Sequence, residues 1–135
     1  MRASTPLQVP VSVPLSAFPN SAIPCPKLLM PEVIHTVLLK FRGDIPPGDI
    51  EDIFGQIRAL GEKIPGILSF TGGPYSSPEG LNRGFTHGFV MRFSDEVSRD
   101  TYLPHPEHQR VVEQLLPMLE GNQGAIAFDW LDEED

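Results

Sequence analysis

The chain has 135 residues, 40% of them hydrophobic and 21% charged, which is enough for one domain with a single core and no stabilising metal or disulfide. A formal charge of −8 without any basic run argues against nucleic acid or an anionic membrane as a partner, since both call for clustered Lys and Arg. The lone cysteine, Cys25, excludes an intrachain disulfide and has no neighbouring ligand, so a cytoplasmic, reducing location is the simplest.

Residues 1–31 hold seven of the fifteen prolines and no acid, with Arg2 and Lys27 as their only bases. All eighteen acids and the other eight bases follow, so the remainder carries −10. Prolines at 6, 10, 14, 19, 24 and 26 remove amide donors and fix φ too often for a helix or a ladder strand to run through. Residues 1–30 therefore read as an extended, disordered, Pro-rich tail ahead of a domain over 31–135. The same prolines interrupt LQVPVSVPLSAFP, against a secretory segment, and the few arginines argue against a transit peptide. Met30 stands where a shorter chain would begin, and no run nears the roughly 20 apolar residues that span a bilayer.

VIHTVLLKF, 33–41, predicts a strand with Val33, His35, Val37, Leu39 and Phe41 on one face. After the turn GDIPPGD, apolar positions 50, 53, 54, 57, 60 and 64 follow the stripe of a core-facing helix over 47–64, with Asp49 as its N-cap. Pro65 and Gly66 end it, and GILSFTGG predicts a second strand leading into the loop PYSSPEGLNRG. The third strand, FTHGFVMRF at 85–93, puts Phe85, His87, Phe89, Met91 and Phe93 on one face. Ser94 is placed to cap a short helix, Pro104 stops it, and Pro106 opens another helix through 107–119 that Pro117 should kink or shorten. GAIAFDW, 124–130, predicts the last strand, and the acidic DWLDEED reads as a solvated terminus.

The order is β-α-β-β-α-β, an α+β ferredoxin-like arrangement in which an antiparallel sheet carries its helices on one face. Its bare face is most simply buried against a second copy, which predicts a two-fold homodimer. On this topology strands 1 and 3 are central neighbours, so His35 and His87 point together into the apolar side, and Tyr102, His105 and His108 follow over one end. A histidine on an apolar face is more often a hydrogen-bonded core residue than a catalyst, and His105 fits an exposed helix cap. His108, however, falls in the first turn of the helix opened by Pro106, where unpaired amides and the macrodipole disfavour imidazolium. A neutral imidazole there can take a proton from a carbon acid, with the Tyr102 hydroxyl donating to the resulting oxyanion. TGGP at 71–74 is followed by a loop and not a helix, so it makes no phosphate cradle, and the histidine spacing supports no metal site.

VIHTVLLKF, IPGILSFTGG, GFTHGFVMRF and above all Y-x-x-H-P-x-H, Tyr102 to His108, together resemble the stress-responsive dimeric α/β-barrel (Dabb) family over about residues 31–132. The resemblance implies the ferredoxin-like fold and a barrel-like homodimer. It also extends to the family's olivetolic acid cyclase type of polyketide cyclase, which closes a linear poly-β-ketone by aldol condensation without a cofactor. On that pattern His108 is the base, Tyr102 its hydrogen-bond partner and oxyanion donor, and His35 a positioning group. His87 is implied at the substrate, and Val37, Phe89, Ile53, Phe54 and Ile57 are expected to line a cavity for a small apolar or polyketide-like ligand. A non-catalytic stress-associated binding module is the alternative.

Overall fold

A computed structural model describes residues 30–133, of which Glu32–Asp132 form one compact unit. The expectation of a disordered tail falls on residues outside that description. Four strands, β1 (Glu32–Leu39), β2 (Ile67–Pro74), β3 (His87–Phe93) and β4 (Ala125–Asp132), form one antiparallel sheet in the order β2-β3-β1-β4. Helix α1 (Pro47–Lys63) links β1 to β2, and α2 (Glu96–Tyr102) with α3 (Pro106–Leu115) link β3 to β4. This is the expected ferredoxin-like arrangement, with β1 and β3 at the centre.

Alternation decides which side of the sheet is core. Val33, His35, Val37 and Leu39 of β1 pair with Phe93, Met91, Phe89 and His87 of β3, and this row faces the helices. Against it α1 presses Ile53, Phe54, Ile57 and Leu60, with Ile64 just beyond its end, the stripe the sequence predicts. Each such side chain taken fully out of water contributes about 1.5–3 kcal/mol, so this layer holds the domain together. On the opposite face Ile126, Phe128 and Trp130 alternate outward from β4, with Phe128 65% and Trp130 48% exposed.

Several ends differ from expectation for local reasons. Pro46, not Asp49, is the N-cap of α1, because Pro47 supplies a preset φ at the first helical position; Asp49 instead places its charge in the first turn. Asp95, not Ser94, caps α2, its Oδ1 accepting from the Ser98 amide at 2.8 Å. β3 begins at His87 and not at Phe85, since the Phe85 and Thr86 amides close the preceding loop on Asn82 and Leu39 carbonyls. Pro117 cannot donate, and α3 gives way after Leu115 to a 3₁₀ turn at Leu116–Met118. Gly66 ends the α1 turn at φ +95°, and a Cβ there would lie 2.5 Å from the Ser98 Cβ, so only glycine lets α2 approach.

Candidate functional site

The Y-x-x-H-P-x-H segment is a joint whose every position has a physical role. Tyr102 is the last residue of α2, and Pro104 prevents that helix from continuing. His105 is the N-cap of α3, its Nδ1 accepting from the Glu107 amide at 3.1 Å, and Pro106 occupies the first turn. Its ring is thereby used as a cap, one of the roles open to it from sequence. His108, three residues beyond that cap, reaches back to the Leu103 carbonyl, 2.8 Å from its Nδ1. A carbonyl only accepts, so Nδ1 carries the proton and the neutral ring presents Nε2 as a lone-pair base.

The joint sets the Tyr102 and His108 rings against each other, centroids 4.2 Å apart. Tyr102 also packs on Phe93 at 4.9 Å and on His35 at 6.1 Å, and is only 2% exposed. Burial raises the Tyr102 pKa, so it remains a phenol and a donor. Among the described residues nothing hydrogen-bonds its hydroxyl. Burial, and then the neighbouring His35 and His105, hold His108 below the ordinary histidine range despite its bond to Leu103, which favours the charged form. The neutral base expected at the helix start is therefore supported chiefly by desolvation.

His35, 6% exposed, donates from Nδ1 to Asp129 Oδ1 at 2.7 Å, and Asp129 Oδ2 accepts from Arg99 Nη1 at 3.1 Å. A carboxylate accepting from Nδ1 orients the ring, whose edge packs among Phe89, Phe93 and Tyr102. Asp129 is absent from the sequence reading, which treated DWLDEED as a solvated end. The signal was there: alternation along β4 puts Ala125, Ala127 and Asp129 on the face toward the helices, and an acid in that row needs a partner.

His87 does not join this group. It pairs with Leu39, four register positions from the His35–Met91 pair, about 13 Å along the strand. Its ring stands edge-on to Phe41 at 5.1 Å and beside Phe54 at 5.7 Å, and burial lowers its pKa. It lines a pocket of about 510 Å³ between α1 and β2, together with Phe54 and Arg58. Of the expected cavity lining, Phe54 reaches that pocket, whereas Val37, Phe89, Ile53 and Ile57 are buried in the packed core. Among the described residues no group of three or more His, Cys, Asp or Glu is placed to hold a metal ion, and no helix is long and apolar enough to cross a membrane.

Comparison with known proteins agrees with this architecture. The stress-response A/B barrel domain-containing protein HS1 of Arabidopsis thaliana is 30% identical over 76 residues, 56% of this chain and 70% of that protein. A dimeric ferredoxin-like protein of unknown function from Jannaschia sp. CCS1 superposes with a TM-score of 0.67 at 26% identity, covering 73% of this chain and 97% of its own. The hydroxynitrile lyase of Passiflora edulis shares the fold with a TM-score of 0.68 at 18% identity, over 78% of this chain and 96% of its own. The fold thus hosts an enzyme as well as a protein without assigned activity. Residues 33–132 match the model of the stress responsive A/B barrel domain, and the chain belongs to that family.

Proposed function

We propose that the protein is a cofactor-independent acid–base enzyme of the olivetolic acid cyclase type, acting on a β-keto or polyketide-like chain by intramolecular aldol closure. One observation carries the reading: a buried tyrosine ring with an unengaged hydroxyl lies beside a histidine whose Nδ1 is committed to a carbonyl and whose Nε2 is left as the base. His108 Nε2 removes a proton from a carbon flanked by two carbonyls, and Tyr102 donates to the enolate oxygen that forms. The enolate carbon then attacks a carbonyl of the same chain, making the ring C–C bond, and the alkoxide takes the proton back from His108. His35, anchored by Asp129, positions Tyr102 and the chain. The absence of a metal requirement follows from this chemistry, since hydrogen bonding is asked to stabilise the oxyanion.

The exposed row Ile126, Phe128 and Trp130 suits burial against a second copy, and the dimeric Jannaschia relative supports a homodimer. The buried Thr36 hydroxyl lies on the same face, without a hydrogen-bond partner among the described residues. With its single cysteine, such an enzyme suits the cytoplasm. A second reading, a non-catalytic stress-associated module, is favoured by the burial in the packed core of Val37, Ile53, Ile57 and Phe89, residues expected to line a cavity.

The deciding experiment incubates wild type and His108→Ala with linear tri- and tetra-β-keto acids and thioesters, and resolves cyclised products by mass. The enzyme reading expects product formation above buffer, reduced about a hundredfold or more in the variant. Products at the buffer level with both proteins, alongside saturable ligand binding, would establish the module instead.

A further inference from the structure

The pocket at His87 has chemistry of its own. Ile50, Phe54 and Pro47 of α1 form one apolar wall, and the facing strand offers Gly72 and Gly73. A Cβ on Gly72 would lie 2.7 Å from the Phe89 Cβ and 2.9 Å from both the Gly88 carbonyl and the Phe54 ring, so the strand wall there is bare backbone. The volume, about 510 Å³, is that of a small-molecule site.

Two polar groups converge on this apolar space. The Arg58 guanidinium lies over the Phe70 ring, its Cζ 5.0 Å from the centroid, a cation–π contact that leaves its N–H donors for a ligand. Among the described residues it has no ion-pair partner. The acid on the same wall, Glu51, is seven positions earlier on α1, about two helical turns away. The second group is His87, whose tautomer can be read from Thr86. The Thr86 hydroxyl donates its one hydrogen to the Leu39 carbonyl at 3.3 Å and accepts from the Phe41 amide at 3.3 Å. With that hydrogen committed to Leu39, His87 Nδ1, 2.9 Å away, is assigned as the donor to Thr86 and Nε2 as the acceptor.

We infer that this pocket holds the carboxylate end of the substrate: Arg58 pairs with a free carboxylate, and His87 Nε2 accepts from a hydroxyl or enol on the adjoining apolar body. The assignment rests on the enzyme reading above and sharpens it, because it selects a free β-keto or hydroxy acid over its thioester or ester. A planar guanidinium with unused donors is matched to a carboxylate, and an acceptor imidazole rejects a second carbonyl but takes an O–H. His87 lies about 13 Å along β3 from the register of His35, so a chain held in this pocket must extend toward the closed end of the row to react at His108.

Binding without turnover tests it, with 3-hydroxyphenylpropanoate, its methyl ester and phenylpropanoate titrated calorimetrically into the full chain. The acid is expected to bind at least about tenfold more tightly than the ester. Arg58→Gln should abolish that preference, and Glu51→Gln, by removing the rim anion, should increase it. The hydroxyl should strengthen binding in wild type and not in His87→Phe, while His108→Ala binds all three as wild type does. Equal binding of acid and ester, a preference that survives Arg58→Gln, or no saturable binding of any probe would overturn the inference. Because His108→Ala alters turnover and not these titrations, loss of the catalytic reading and loss of the carboxylate site give different results.

Discussion

His35 and His87 stand in one apolar row on adjacent central strands, yet they end in opposite circumstances. His35 is sealed among Phe89, Phe93 and Tyr102 and held by Asp129, which is itself balanced by Arg99. His87 is half-buried, held by a threonine hydroxyl, and faces an open pocket. The difference teaches that a strand row specifies side, not environment. What lies over each end of the row sets the rest: α2 and the joint to α3 cover His35, whereas the first half of α1 leaves space over His87.

The contrast can be broken most sharply at the closed end. Tyr102→Phe removes only a hydroxyl without a protein partner among the described residues, so turnover on the β-keto panel should fall about a hundredfold. The urea midpoint should barely move. A large loss of stability with unchanged product formation would make Tyr102 a packing residue only.

Asp129→Asn strips the anion from both His35 and Arg99, although Arg99 keeps Asp100. Losing charge-assisted bonds at this half-buried site should cost about 1.5–3 kcal/mol in chemical denaturation, with the far pocket still binding its acid probe. Equal damage to both ends would show that the row responds as one unit.

The titration of the two ends sharpens the comparison further. His87 and His108 are both held below the 6.5 of free histidine, chiefly by burial, so the folded chain resists their protonation more than the unfolded chain does. Their contribution is fully present above about pH 6.5 and is lost as pH falls from there toward the folded values. Urea midpoints at pH 7.5, 6.5 and 5.5 should therefore decline in that order, and His108→Gln should flatten part of the slope. The smallest effect is expected for His105→Ala, which removes a helix cap and should cost about 1 kcal/mol without changing acid-probe binding.

Much of this was legible in the sequence, for identifiable reasons. The α1 stripe and the inward rows of β1 and β3 follow from periodicity, because a 17-residue helix and two strands repeat their burial signal several times. The cap positions were not: Asp49 and Ser94 are good capping types, but Pro46, three residues before Asp49, and Asp95, one after Ser94, hold the caps, a choice settled by backbone geometry. The motif indicated that Tyr102 and His108 would come together, since two prolines force a helix break between them. It could not indicate the unprotonated nitrogen of His108, which depends on where the Leu103 carbonyl points.

The sequence by itself determined the order of elements, the side of each strand and the joint that carries Tyr102, His105 and His108, because these depend on local periodicity and on proline. Only the tertiary structure decided that Asp129, 94 positions from His35, would become its anchor, that Val37, Phe89, Ile53 and Ile57 would pack as core while Phe54 reaches a pocket, and that Arg58 would stand over Phe70 at that pocket beside His87. Those outcomes depend on register between distant strands and on how closely helices settle on the sheet, and neither quantity is written in any one stretch of chain.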